Sequence, residues 1–235
     1  MKTKYIFLCF VLVFTSCCIW KQSEEKHLLI LSGQSNMVRL DPNLSFTPTL
    51  EEKFGKNKII VVKDAKGAQP ISRWYKKAKL NQNELQIGDL YSQLLTKVKD
   101  SIKNVNIKSV TFIWMQGERD ARLENAAIYE ESLLGVYNQL SEDLNRGDIN
   151  FVIGRLSDFD MANERWPHWT KIRDIQVKVA ESNSQFGWVD TDDFNDGLNP
   201  KGEPIQNDLH MSVEGYKSMG TSFAHEAIRL IKKNN

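Results

Sequence analysis

The chain has 235 residues, 41% of them apolar and 26% charged, with a formal net charge of +1. That is ordinary globular composition, long enough for one domain with a sizeable core. The near-neutral balance carries no electrostatic footprint for nucleic acid, and the interspersed lysines and acids read as a solvated mixed surface.

In chain order, a leader comes first. Lys2 and Lys4 form a basic start, Tyr5 to Phe14 a short apolar run, and Thr15-Ser16-Cys17 a small-residue ending. The run is too short to span a bilayer comfortably, and the pattern resembles a bacterial lipoprotein signal in which Cys17 or Cys18 is acylated. The expectation is a leader over 1–17, a polar tether over 18–26 and one domain over 27–235. Export to the bacterial envelope follows, with membrane contact only through the N-terminal lipid. Cys9, Cys17 and Cys18 all lie at or before the expected processing point, so the body carries no disulfide, thiolate metal site or cysteine nucleophile.

Apolar runs then alternate with helical patterns. Leu28–Leu31, Ile59–Val62, Val110–Met115, Phe151–Ile153 and Phe186–Val189 are short and apolar on both faces, as strands of a covered parallel sheet must be. Between them run helical stripes: Leu85 to Ile102, Ile128 to Leu140 with Gly147 as a stop, and Trp169 to Ala180. A last helix spans Val213–Lys232 behind Ser212 as N-cap. Asn81–Asn83 and Asn195–Asn207 read as loops. This order predicts a three-layer α/β/α fold of flavodoxin-like type with a mostly parallel five-stranded sheet.

Ligands of open α/β sheets bind beyond the carboxyl ends of the strands, which directs attention to Ser35, Gly67, Gln116, Glu118, Arg155 and Asp190–Asp192. In Gly33-Gln34-Ser35-Asn36-Met37 the serine sits on a tight strand-to-helix turn that exposes its hydroxyl beside a free backbone N–H. A lone serine there is more simply an N-cap, and it needs a base. His210, in Asp208-Leu209-His210, stands in a loop before the last helix with a carboxylate two residues away.

Taken with Trp114-Met115-Gln116-Gly117-Glu118-Arg119-Asp120, these blocks resemble the SGNH hydrolase superfamily, in particular its sialate O-acetylesterase-like branch and the family 6 acetylxylan esterases, over nearly all of the chain from Leu28. The resemblance implies a carbohydrate O-acetylesterase with no cofactor and no metal. It makes Ser35 the nucleophile, His210 the base, and Ser35 N–H, Gly67 N–H and the Gln116 amide the oxyanion hole. The superfamily's Asp-x-x-His block departs here to Asn207-x-x-His210. Asp208 and Glu118 therefore stand as rival orienting acids. Arg73 and Trp74 are candidates for a sugar-binding rim, Trp74 being equally a core residue; Arg155 is a cation for an acidic substrate group or a partner of Asp158. Asp120 reads as a brace for the Gln116–Glu118 turn. The acidic run Asp190–Asp196 lacks EF-hand spacing, so no metal is expected there. The substrate class, acetylated sialic acid or plant polysaccharide such as xylan, comes from the resemblance alone. The alternative is an inactive glycan-binding lipoprotein on the same scaffold, a reading that Asn207 favours and the retained Ser35, Gly67, Gln116 and His210 oppose.

Overall fold

The computed structural model describes residues 25–77 and 87–234. The leader over 1–17, nearly all of the tether over 18–26, the Asn81–Asn83 loop and Leu85 lie outside the described residues. No helix of the described residues is long and apolar enough to cross a membrane.

Five parallel strands form the sheet in the order β2-β1-β3-β4-β5: β1 (Lys26–Gly33), β2 (Ile59–Ala65), β3 (Ile107–Met115), β4 (Asn150–Gly154) and β5 (Phe186–Val189). All five expected strands are present, each built on its apolar run. Alternation divides their side chains between two cores. Leu28, Ile30, Phe112, Trp114, Phe151 and Ile153 face one side, where α3 (Asp89–Ser101), α5 (Ala126–Leu144) and α6 (Trp169–Glu181) cover them. Leu29, Leu31, Ile113, Met115 and Val152 face the other, under α1 (Ser35–Arg39), α2 (Phe46–Phe54) and α7 (Val213–Lys233). Both faces are buried, which is why the strands read as continuous apolar runs rather than alternating ones. The fold is the expected three-layer α/β/α domain.

Three local features differ from the sequence reading. Helix α2 was not among the expected helices, and it contains Pro48. The proline falls in the first turn, where its missing N–H costs nothing, and Phe46 and Leu50 bury against α7. Helix α5 stops not at Gly147 but at Asn145, left-handed at φ 51°, whose N–H closes onto Glu142 and Ser141 carbonyls. The Asn195–Asn207 loop carries a small antiparallel pair, β6 (Gly197–Leu198) with β7 (Pro204–Ile205). Ser212 caps α7 as expected, its hydroxyl accepting from Gly215 N–H at 3.0 Å.

At the outer edge, Gly187 of β5 lies beneath Glu226 of α7: a Cβ at Gly187 would stand 1.8 Å from that carboxylate. Glu226 is in turn paired with Arg229 at 2.6 Å.

Candidate active site

The site is built where β1, β2 and β3 end level with one another, Gly33 opposite both Ala65 and Met115. Gly33 has φ +140°, and a Cβ there would stand 1.9 Å from the Met115 carbonyl oxygen, so only glycine permits the approach. Gln34 N–H then donates to that carbonyl at 2.9 Å, and Ser35 opens α1. From the other side, Lys66 N–H donates to the Gly33 carbonyl at 3.0 Å and draws the loop after β2 against the serine turn. Gly67 follows: a Cβ added there would stand 3.7 Å from Ser35 Cβ. The N–H groups of Ser35 and Gly67 have no acceptor among the described residues, and neither has the half-buried Ser35 hydroxyl a partner. Two free donors thus flank one free hydroxyl.

Gln116 does not complete this set as its implied role requires. It is wholly buried, and its amide Nε2 donates to Asp120 Oδ2 at 2.5 Å and to the Gln69 carbonyl at 3.1 Å. An amide nitrogen carries two hydrogens, and both are spent. The reverse amide orientation would set its oxygen against the Asp120 carboxylate. Gln116 therefore supports the loop that carries Gly67 instead of offering a donor to an oxyanion. Asp120 is the brace: its carboxylate also accepts from Ile71 N–H at 2.8 Å and from Asn125 Nδ2 at 3.1 Å.

His210 is partly exposed and its imidazole makes no hydrogen bond among the described residues. Asp208 Oδ1 lies 3.8 Å from its Nδ1 and accepts from its backbone N–H at 2.8 Å. Among the described residues no other carboxylate stands within 4.0 Å of that ring. Burial holds the His210 pKa below its ordinary value of 6.5, the Arg39 cation lowers it further, and Asp208 opposes both.

Glu118 is occupied elsewhere. It is fully buried, and its Oε1 accepts from Asn36 Nδ2 at 2.9 Å while Oε2 has no partner. Burial pushes its carboxyl up to about 7, with the Asp120 charge adding to the rise and hydrogen bonds from Asn36 and backbone N–H groups resisting it. Asn36 also donates to the Leu209 carbonyl at 3.2 Å and accepts from the Tyr216 hydroxyl at 2.9 Å. The neighbour of Ser35 is thereby bonded to the neighbour of His210.

The three substrate-binding candidates, Arg73, Trp74 and Arg155, are each engaged within the protein. Trp74 is only 1% exposed, donates its indole N–H to Ser32 Oγ at 3.0 Å and stands edge-on to Trp114, so it is core. The Arg73 guanidinium is spent on Asp89, with two bonds of 2.6 Å, and on Gln69 Oε1. Arg155 pairs with Asp190 and with Asp192, the latter at 2.7 Å, while stacking on Trp188, so its acidic partners are these two and not Asp158. Asn207 is exposed and left-handed at φ 47°, its N–H donating to Asp196 Oδ1 at 2.6 Å. Asparagine is among the residues that tolerate that backbone. Among the described residues no group of His, Cys, Asp and Glu is placed to hold a metal ion.

Sequence reasoning missed Asn36 and Tyr216. The first lay inside the quoted Gly-Gln-Ser-Asn-Met motif and could have been singled out as a polar residue forced inward by a short helix. The second carries no signal beyond its place on an apolar stripe.

The sequence matches the family model described as carbohydrate esterase, sialic acid-specific acetylesterase, over residues 38–229. A search against curated protein sequences returned no match. Among solved structures, a protein from Arabidopsis thaliana superposes with a TM-score of 0.65 at 18% identity, over 88% of this chain and 99% of that one. A carbohydrate acetylesterase from Xanthomonas citri gives 0.64 at 17% identity, over 88% of this chain and 56% of that one. NanS gives 0.61 at 11% identity, over 90% of this chain and 99% of that one. At these identities the likeness is one of fold.

Two measurements test the electrostatics. Removing the Arg39 charge relieves the imidazole, so R39Q moves the acid limb of the kcat/KM profile upward toward pH 6.5, and concentrated salt mimics the variant; an unmoved limb refutes the influence of Arg39. For Glu118, a folded-state pKa of about 7 against an ordinary 4.5 means that the folded chain holds the proton more tightly. Stability then falls as pH rises between those values and is flat on either side. Urea titrations of E118Q should show no such fall, with a gain over wild type of up to about 3 kcal/mol at pH 8 and none below pH 4.5.

Proposed function

The chain belongs to the carbohydrate esterase, sialic acid-specific acetylesterase family and is a carboxylic ester hydrolase, and from that premise we propose that it removes O-acetyl groups from carbohydrate through an acyl-enzyme on Ser35. The observation that carries this reading is the pair of unbonded N–H groups, of Ser35 and Gly67, flanking an unbonded serine hydroxyl. His210 removes the hydroxyl proton as Ser35 Oγ attacks the acetyl carbonyl. The carbonyl oxygen takes the negative charge and is held by the two N–H groups. The intermediate collapses by breaking its bond to the sugar oxygen, which leaves with the proton from His210. Water, deprotonated by His210, then attacks the acetyl-serine; acetate leaves and Ser35 regains its proton.

The orienting acid in this scheme is Asp208, supported by its 3.8 Å approach to His210 Nδ1. Its Oδ1 shortens that distance once the imidazole gains a proton and a charge. The natural substrates on this reading are acetylated glycans, sialic acid or a plant polysaccharide such as xylan, in keeping with the family. One of the fold neighbours, the Xanthomonas citri protein, is a carbohydrate acetylesterase, which points the same way. Export with acylation at Cys17 or Cys18 would bring the domain to such glycans at the cell envelope.

Hydrolysis of p-nitrophenyl acetate, followed by acetylated sialic acid and xylan, tests the chemistry. S35A should fall by about 10⁴-fold or more and D208N by about 10²- to 10⁴-fold, both with the wild-type melting temperature. E118Q, whose amide oxygen still accepts from Asn36, should stay within about tenfold of wild type. Loss in E118Q with an active D208N would transfer the acid role to Glu118. Radiolabelled palmitate should enter the full-length chain in its host and fail to enter the C17A/C18A variant; equal labelling of both overturns the anchor.

A further inference from the structure

The peptide group between Leu209 and His210 is gripped at both ends. Its carbonyl oxygen accepts from Asn36 Nδ2 at 3.2 Å, and its N–H donates to Asp208 Oδ1 at 2.8 Å. A peptide is planar, so two bonds on opposite edges fix its rotation and with it the direction in which His210 leaves the chain. One of these bonds comes from the residue next to the nucleophile. We propose that Asn36 is a positioning residue, which locks the base-bearing peptide to the nucleophile's helix and is itself set by Glu118 on one side and Tyr216 on the other.

Asn36 is 1% exposed, and every hydrogen-bonding atom of its amide is engaged. The Tyr216 hydroxyl donates to Oδ1 at 2.9 Å, and Nδ2 divides its two hydrogens between Glu118 Oε1 and Leu209 O. Rotating the amide by half a turn would face its oxygen with a carboxylate and a carbonyl, both acceptors, so one orientation survives. The bonds join residues 82, 173 and 180 positions apart, from the ends of β1 and β3, the His210 loop and α7. Glu118 thereby acquires a role that needs no contact with the imidazole: its carboxylate holds the amide nitrogen in place. A buried acid whose pKa is raised to about 7 is a costly anchor, and the chain retains it at a site where about 1 Å of displacement costs on the order of 10²-fold in rate. The inference rests on the serine-esterase reading, since a base is positioned only if it acts on Ser35.

The charged and titratable groups that face this cluster are Asp120 of α4 (Glu118–Arg122) beside Glu118, Arg39 of α1 beside Tyr216 and His210, and Asp208. The test uses N36A, N36D and the exchanged pair N36D/E118Q in the full chain. Two readouts serve: turnover of p-nitrophenyl acetate from pH 5 to 9, and the rate and final stoichiometry of Ser35 phosphorylation by a phosphofluoridate. N36A should lower both rates by about 10²-fold while every molecule is still phosphorylated in the end, which separates a misplaced base from a loss of folded protein. N36D sets two carboxyls face to face, so its activity relative to wild type should decline as pH rises and their shared proton is lost. N36D/E118Q restores one amide and one carboxylate in reversed order, and should exceed N36D at pH 8 by about tenfold, short of wild type because Leu209 O stays unbonded. Rates for N36A within twofold of wild type, or an exchange no faster than N36D, overturn the proposal. Should the Asn36 variants not fold, Y216F frees one end of the amide and should slow phosphorylation by about threefold or more, and a wild-type rate there overturns it equally. If wild type itself neither turns over the ester nor reacts with the phosphofluoridate, it is the esterase reading that has failed.

Discussion

The carboxylate of Asp120 has no contact with solvent, yet it accepts hydrogen bonds from three separate pieces of chain: Ile71 N–H, the Gln116 amide and the Asn125 amide. A charge taken out of water is tolerable only when bonds replace its hydration, and these replacements are what hold the loop after β2 against the turn after β3. Together with the Lys66 N–H bond to the Gly33 carbonyl, that tie keeps Gly67 beside Ser35. Its influence reaches further: its charge helps to raise the pKa of Glu118, and it turns Gln116 inward.

The site accordingly has a back and a front. The back consists of buried groups, Asp120, Gln116, Glu118, Asn36 and Tyr216, whose hydrogen bonds are directed at one another and at backbone. The front consists of Ser35, the Gly67 turn, His210, Asp208 and Arg39, all at least partly open to solvent and sparsely bonded. The division is physically sensible. The front groups keep bonding capacity free, and they are held from behind by groups whose hydrogen bonds are largely internal.

The strands were legible because a parallel sheet covered on both faces leaves a simple trace, a short run such as Leu28–Leu31 with no polar interruption. Ser35 and His210 stood out as candidates because strand-end turns and helix-entry loops have local signatures. What stayed hidden is interaction between distant segments. Arg73 and Trp74 had the right residue types for a sugar rim and Arg155 for an acidic group, but nothing in their neighbourhood reveals Asp89, Ser32 or Asp192 as partners. The direction of the Gln116 side chain depends on an acid four residues on and a carbonyl 47 residues back. The difference between Asp208 and Glu118 is likewise three-dimensional: spacing alone favours neither, whereas in the structure Asp208 lies beside the imidazole and Glu118 bonds to Asn36.

One feature of the sheet's margin bears on how the molecule behaves in company. Strand β5 ends the sheet, and an end strand offers a row of unpaired peptide groups to any passing chain. Here that strand is four residues long, and its Gly187 lies under the Glu226 carboxylate of α7. An intruding strand would have to strip water from this acid and its Arg229 partner to dock. At this end the sheet thus has a guarded border, short and overlain by charge.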